Sequence, residues 1–260
     1  MLVLLPPSEG KTAPRRGRPL DLDTFAFPEL AVTRRTVLDA LVELCHTDRE
    51  GAARVLALGR TQQDDVAVNA DLAHRPAAPA GRVYTGVLYE ALGLADLPSA
   101  ATRRSGSWLA IASGLWGLVR PADRIPAYRL PGGVSLPGVG PLAAAWRGPL
   151  AAAVPAAAGR GLVLDLRSTT YAAMWHPTGP TAERTVTVRV LRDRDGERSV
   201  VSHDNKATKG RLVRALLLDG SRPRTPAELR EHLVGLGFAA ESVPRARPGR
   251  PYGIDVVLRD

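Results

Sequence analysis

Apolar and polar positions along the 260-residue chain follow two different periods, and the places where the period changes divide it into strands, helices and loops. Residues 2–5, LVLL, are an unbroken apolar run that predicts a short buried strand, stopped by Pro6 and Pro7. From Pro28 to about His46 the apolar residues Leu30, Val37, Leu38, Leu41, Val42 and Cys45 fit one buried helix face. Thr47 and Asp48 suit the cap of a second helix through Val55, Leu56 and Leu58, and a polar helix is expected around 62–73.

Further along, "GRVYTGVLYEALG" (81–93) reads as a strand that breaks at Thr85-Gly86 into a helix. Residues 108–112, WLAIA, predict a strand, and a turn-rich polar connection follows over 113–130. The glycines and prolines of 131–141 predict a loop, and 142–153 a helix. "GLVLDLRSTTYAAMW" (161–175) is a second passage from strand to helix. Two Val/Thr-rich runs within 183–203, joined at Asp193-Arg194-Asp195-Gly196, predict a hairpin. Helices over about 205–220 and 225–236 and a closing strand, "YGIDVVLRD", complete the pattern. Strands and helices are intermixed without repeat or linker, so the expected fold is α/β (mixed α+β), one compact domain 1–260 around a mixed sheet.

Composition narrows the function classes. No apolar stretch is long enough to cross a bilayer, and Pro6 and Pro7 interrupt any leader-like segment, so a cytoplasmic protein with no membrane partner is expected. Cys45 is the single cysteine, which excludes an intrachain disulfide and a cysteine-rich zinc site. The five histidines show no metal-ligand spacing, so neither a metal nor a cofactor is expected. The net charge of +9 favours encounter with phosphates, although a GC-rich composition accounts for much of the arginine. Lysine is the scarcer signal. Lys11, Lys206 and Lys209 are the only lysines among 35 basic residues, and each lies in a dense polar motif. A compact ammonium that can lose its proton when buried is a different tool from a guanidinium.

"LLPPSEGKT" ends like a nucleotide-binding loop, but the pattern fails. Leu5 stands where the first glycine belongs, and Pro6 and Pro7 lack the N–H groups that cradle phosphate. What remains is Ser8, Lys11 and Thr12 just beyond a buried strand, where α/β proteins place ligands. In "SGLWGL" the pair Gly114 and Gly117 could bring backbone N–H groups close to a phosphate chain. Arg120, Arg124, Tyr128 and Arg129 follow, a set suited to nucleic acid or nucleotide contacts. Ser168 and Tyr171 sit in "DLRSTTY" at a turn from strand to helix, where Ser168 can also act as a plain cap. "SHDNKATKGR" (202–211) opens a helix, whose positive end favours an anion and whose lysines could hold phosphate or act as base or nucleophile.

Taken together, "LVLLPPSEGKT", "VYTGVLYEAL", "ASGLWGLVRPADRIPAYRL", "LVLDLRSTTY" and "VSHDNKATKGRLVRAL" resemble the peroxide stress protein YaaA family in order and spacing over nearly the whole chain. The resemblance implies a cytoplasmic bacterial protein that limits damage from hydrogen peroxide and free iron. It also implies a positively charged cleft and a helix-hairpin-helix-like element that bind DNA. That element would fall on Gly114–Gly117, and the cleft would draw on Lys11, Arg120, Arg124, Arg129, Lys206 and Lys209. The chain departs from the pattern at both lysine motifs. Its first is two residues longer than the Ser-Pro-Ala-Lys-Thr of some members, and His203-Asp204-Asn205 precede Lys206 where others carry aromatic and small residues.

Two readings follow. The first is a DNA-binding protein of the peroxide response, with Ser8, Lys11, Thr12, Gly114, Gly117, Arg120, Arg124, Tyr128, Arg129, Lys206 and Lys209 on phosphate. The second is an enzyme acting on a nucleotide, nucleoside or damaged DNA base, for example by glycosidic cleavage, with Lys11, Ser168, Tyr171 and Lys206 as catalytic candidates. A binding protein linked to iron lacks a metal motif. Convergence of Lys11, Arg129, Ser168 and Lys206 on one pocket is the observation that bears most on the choice.

Overall fold

The computed structural model describes residues 1–260 apart from Val201, Ser202, Pro244, Ala246, Pro248 and Asp260. Its centre is one sheet built from β1 (Leu2–Leu5), β2 (Leu109–Ser113), β3 (Gly117–Val119), β4 (Val163–Asp165), β5 (Thr185–Arg194), β6 (Glu197–Val200), β7 (Ala240–Val243) and β8 (Tyr252–Arg259). The strand order is β7-β8-β5-β4-β1-β2-β3, with β6 pairing β5. Strands β8, β5, β4, β1 and β2 run parallel, while β7, β3 and β6 pair antiparallel. The expected α/β class and mixed sheet are therefore present.

β1 explains its own sequence. It is hydrogen-bonded on both sides, with Val3 opposite Leu109 on one flank and Leu164 on the other, and Leu2, Val3, Leu4 and Leu5 are all buried. A strand covered on both faces has no polar side to alternate with, so it reads as a continuous apolar run. The chain moves from β1 to β2 on one side and later to β4 on the other. The order of parallel strands thus reverses at β1, and a crevice opens beyond the carboxyl ends of β1 and β4.

Helices enclose this sheet: α1 (Ala31–Thr47), α2 (Arg49–Val55), α3 (Asp64–Ala70), α4 (Val87–Leu92), α5 (Ser99–Trp108), α6 (Leu142–Ala158), α7 (Thr169–Ala172), α8 (His203–Asp219) and α9 (Pro226–Gly235). α1 buries Val37, Leu38, Leu41 and Cys45 as its periodicity predicts, with Leu44 buried beside them and Val42 only half-buried. Asp48 caps α2 by accepting the Gly51 N–H at 2.7 Å. α6 runs through Pro149 and Pro155 to Ala158, past the expected end at 153. α8 crosses α4 at close range: a Cβ on Gly210 would collide with Leu88 O and the Ala91 side chain. Among the described residues no helix is long and apolar enough to cross a membrane.

Residues 80–83 correct one expectation. They form a helical turn rather than a strand, closed by the Tyr84 N–H donating to Ala80 O at 2.9 Å. Only Tyr84 has a β-type partner there, in an isolated bridge to Lys11. Ser202, the first residue of the late polar motif, lies outside the described residues.

Candidate functional site

Five separate segments meet beyond the carboxyl ends of β1 and β4 and enclose a cavity of about 760 Å³. They are Pro6–Lys11 after β1, Thr85–Tyr89 at the start of α4, Arg129–Gly133, the stretch from Leu166 to Tyr171 after β4, and the first turns of α8. Lys11, Arg129, Lys206 and Lys209 line it, together with Ser8, Ser168, Tyr171, Asn205 and the exposed Glu9. The three lysines, more than 190 residues apart in part, thus share one chamber, and Arg129 and Ser168 join them.

The Pro6–Lys11 wall is held by a small set of bonds. The Ser8 hydroxyl donates to Gly10 O at 2.5 Å and accepts the Thr85 N–H at 3.0 Å. Thr12 N donates to Val83 O, and the Tyr89 hydroxyl donates to Pro6 O at 2.7 Å. The proline pair that ruled out a phosphate loop therefore serves as a stiff arm, fastened to α4. Ser8 has already given its only proton to Gly10 O, so it fixes the loop and cannot donate to a ligand phosphate unless that bond breaks.

Lys11 reaches back over this arm. Its Nζ donates to Ser8 O at 2.9 Å and Glu9 O at 3.4 Å, and sits 4.4 Å from the centre of the Tyr128 ring. Burial, and secondarily the charge of Arg129, lower its pKa to about 8, with Asp65 and Glu9 pulling the other way. Below it lies a buried chain of hydroxyls. Ser113 Oγ accepts the Leu115 and Trp116 N–H groups and so donates its own proton to Tyr128, whose hydroxyl is 2.8 Å from that of Tyr84. Burial raises the Tyr84 and Tyr128 phenols far above their ordinary range, so the floor is neutral.

On the opposite wall, Lys206 and Lys209 project from the first turns of α8, the positive end of the helix dipole. Lys206 is exposed, while burial lowers the Lys209 pKa and the Asp165 charge opposes that shift. Arg129 Nη1 approaches Glu9 at 3.9 Å. Arg129 Nε and Asn205 Oδ1 are buried and, among the described residues, have no hydrogen-bond partner. A buried donor or acceptor without a partner is costly, so the Arg129 Nε donor and the Asn205 Oδ1 acceptor leave unmet polar capacity in two residues of the cavity wall.

Several expected site residues are elsewhere. Gly114 and Gly117 form the turn between antiparallel β2 and β3, not a hairpin between helices, and both are buried. Ser113 takes the N–H groups of Leu115 and Trp116, Trp146 Nε1 donates to Gly114 O, and the buried Arg34 donates to Trp116 O and Leu118 O. The Leu115 and Trp116 N–H groups between the two glycines are thus spent on Ser113 inside a buried turn and are not presented to a DNA phosphate. Arg120 donates to Ser107 O and Leu109 O and lies over the Phe27 ring, and Arg124 donates to Ala77 O. Thr12 is exposed outside the cavity, and Tyr128 lies beneath it as its floor. Ser168 does line the cavity, at the start of α7, with no capping bond of its own. Tyr171 lines it too, its phenol raised by burial.

Sequence reasoning missed Asn205 as a ligand-facing group and Asn69 as a support. Asn69 is fully buried on α3 and carries the Arg129 backbone. The signal for Asn205 was its place in the same polar run as Lys206; Asn69 had none beyond being polar on an apolar face. Among the described residues no three His, Cys, Asp or Glu side chains are grouped to hold a metal.

Comparison with known proteins bears on this architecture. The family model described as peroxide stress protein YaaA matches residues 1–241. A UPF0246 protein of Streptomyces coelicolor is 54% identical over 260 residues, covering 100% of this chain and 99% of its own length. A UPF0246 protein of Corynebacterium efficiens is 38% identical over 245 residues, 93% of this chain and 95% of its own. One from Limosilactobacillus fermentum is 32% identical over 163 residues, 62% and 64% of the two chains. By the match over residues 1–241 and the full-length identity, the chain belongs to the peroxide stress protein YaaA family.

Proposed function

We propose that this chain is a cytoplasmic DNA-binding protein of the peroxide stress response, and that it holds DNA phosphate at the cavity lined by Lys11, Arg129, Lys206 and Lys209. One observation carries the reading: four cations from distant segments converge with the positive end of α8 on one crevice at the reversal of strand order. Among the cavity-lining residues Glu9 supplies a carboxylate that is 89% exposed at its side chain and so screened by solvent, while Asp65 and Asp165 act on Lys11 and Lys209 from outside the lining. A chamber of about 760 Å³ suits one or two nucleotide units rather than the side of a duplex. The reading therefore favours strand ends, or nucleotides turned out of the stack, as the engaged element.

Fluorescence anisotropy with single-stranded DNA, a duplex, and a duplex carrying unpaired nucleotides tests it. Affinity should fall linearly on a log–log plot as salt rises, by about 0.9 of a unit per phosphate neutralised. Lys206→Ala and Lys209→Ala should each flatten that slope and should affect the unpaired-nucleotide duplex most. Absence of binding at low salt, or unchanged slopes in the double variant, overturns the reading.

A second reading, an enzyme directed at a nucleotide, nucleoside or damaged base, is favoured by the depressed Lys11 amine in an enclosed site. Release of free base from nucleotides or base-damaged oligonucleotides, abolished in Lys11→Met, would support it. No release from any of them would remove it.

A further inference from the structure

A second recess, of about 380 Å³, lies on the outer strands β5, β7 and β8 and shares no lining residue with the cavity. Thr187, Gly253 and the four arginines Arg189, Arg245, Arg247 and Arg250 line it. The register of the sheet sets its place. Leu4 pairs with Asp165, Asp165 with Thr187, Thr187 with Gly253, and Gly253 with Val243, so one row crosses five strands. Leu166, the residue after Asp165, is already part of the cavity wall. Neighbouring strands lie ~4.8 Å apart, so two strand steps put Gly253 about 10 Å from Asp165. Recess and cavity are therefore neighbours along the sheet. Val243, Arg245, Arg247, Arg250 and Gly253 all follow residue 241, where the family match ends, so most of the recess is an addition to the matched portion.

Its four guanidiniums differ in what already holds them. Asp255 accepts two bonds from Arg189, at 2.8 and 2.7 Å. Arg245 lies 3.9 Å over the Tyr252 ring with Nη2 2.8 Å from Glu183, and its Nε has no hydrogen-bond partner among the described residues. Glu241, opposite Asp255 in the register, is taken by Arg198. Arg247 and Arg250 are exposed, and neither side chain has a partner among the described residues. Four guanidiniums against Asp255 and Glu183 leave two positive charges without a carboxylate. Two arginines fixed by ion pairs and two free ones, around a space of this size, fit one phosphate and its sugar, because the guanidinium fork meets phosphate oxygens two at a time.

We infer that this arginine recess is a second phosphate site, and that its occupant is a phosphodiester of the DNA strand whose unpaired nucleotide enters the cavity. The strand assignment rests on the DNA-binding reading above, whereas the phosphate site rests on the recess alone. At ~3.4 Å of rise per nucleotide, about three nucleotides cover the ~10 Å between the two sites. A longer strand engages both, and its second contact is made within the complex, at the high effective concentration that a short tether gives.

Two measurements on the full-length chain test this, each made in the wild type and in a Lys206→Ala/Lys209→Ala background that weakens the cavity. Phosphorus NMR titration with inorganic phosphate reads the site without DNA. Anisotropy of a labelled single strand of about eight nucleotides, at several salt concentrations, reads the strand. Arg247→Ala/Arg250→Ala should weaken phosphate binding and lower affinity for the strand about tenfold, the loss of charged contacts. It should also flatten the log–log salt slope by about 1.4, twice the ~0.7 expected per phosphate of a single strand. Arg247→Lys/Arg250→Lys keeps both charges and should restore the slope while recovering only part of the affinity. Arg49→Ala/Arg54→Ala removes the same charge from α2, which lines neither recess nor cavity, and should leave the slope as it is. Equal flattening in that control, or an unchanged slope in Arg247→Ala/Arg250→Ala, overturns the strand assignment. Phosphate binding that the arginine substitutions leave untouched in the lysine-substituted background overturns the site itself. If the arginine pair flattens the slope and the lysine pair does not, the recess stands and the cavity reading falls; the converse result removes the recess alone. Both arginines are exposed, and Arg247→Gln/Arg250→Gln makes the same comparison should the alanine pair fail to fold.

Discussion

Asn69 grips the backbone of Arg129 on both sides. Its Nδ2 donates to the Arg129 carbonyl at 2.7 Å, and its Oδ1 accepts the Arg129 N–H at 2.9 Å. Sixty residues separate the two in sequence, and Asn69 is 0% exposed. The cavity arginine is therefore positioned by a buried amide on a helix that contributes no residue to the cavity wall. Asn69→Ala would leave a buried N–H and C=O unpaired, at a cost of about 1–3 kcal/mol in denaturant unfolding. It should also weaken DNA binding although no charge is lost. Unchanged affinity in a folded Asn69→Ala protein would show that Arg129 does not depend on this support.

The two cavity serines should behave oppositely. Ser8→Ala removes a hydroxyl that both donates to Gly10 O and accepts from Thr85 N, and should cost about 1 kcal/mol of stability. Ser168→Ala removes an exposed hydroxyl with no capping role and should leave stability within about 0.5 kcal/mol. Thermal and denaturant melts of both variants check this. If Ser168→Ala abolishes an activity while leaving stability unchanged, the serine acts on ligand.

Gly210→Ala sets helix propensity against packing. Alanine favours an exposed helix interior by about 1 kcal/mol, but here a Cβ would meet Leu88 O across the α4–α8 crossing. The collision should dominate, with a net loss of about 1–3 kcal/mol, and α8 should carry Lys206 and Lys209 away from Lys11. Weaker anion binding in a protein that still folds cooperatively is the expected signature. A stabilised variant would show that the two helices can separate freely.

Lys11 also predicts a pH dependence of stability. The folded chain releases this proton near pH 8, whereas the unfolded chain holds it until near the ordinary value of 10.5. Between the two the unfolded state binds more protons, so the contribution of this position to stability rises with pH through that window and is flat below it. The free-energy gap between wild type and Lys11→Met should therefore move in favour of wild type from pH 8 to pH 10. Anion affinity should move the other way, falling as the ammonium charge is lost. A constant gap across that range would place the Lys11 pKa at its ordinary value.

Much of this architecture was readable because its signals are local. The runs at 2–5 and 109–113 are strands whose burial on both faces leaves no polar position to disguise them. α5 was missed because SAATRRSGSW buries only Ala101, Ser105 and Trp108 and contains Gly106, which leaves a faint stripe. The site was half legible. Rare lysines stood out against an arginine background, but nothing local revealed that the Leu115 and Trp116 amides are consumed by Ser113 and the Gly114 and Trp116 carbonyls by Trp146 and Arg34. A glycine pair free to approach a phosphate and a glycine pair packed against a tryptophan look alike in sequence. Here a Cβ on Gly117 would meet the Trp146 ring, and that contact, made across 29 positions, decides between them.

Because the cavity is assembled from five stretches between Pro6 and Lys209, no fragment cut between those residues carries all of its walls, and a compound that fits it must favour the folded chain over forms in which those stretches have separated. Such a compound present at 100 times its Kd would add about 2.7 kcal/mol to the unfolding free energy. Melting temperature is thus a direct reporter of occupancy. A library of sugar phosphates, nucleotides and short oligonucleotides, screened for thermal shift against wild type and Lys11→Arg in parallel, can find the natural ligand with no prior assay for what the protein does to it.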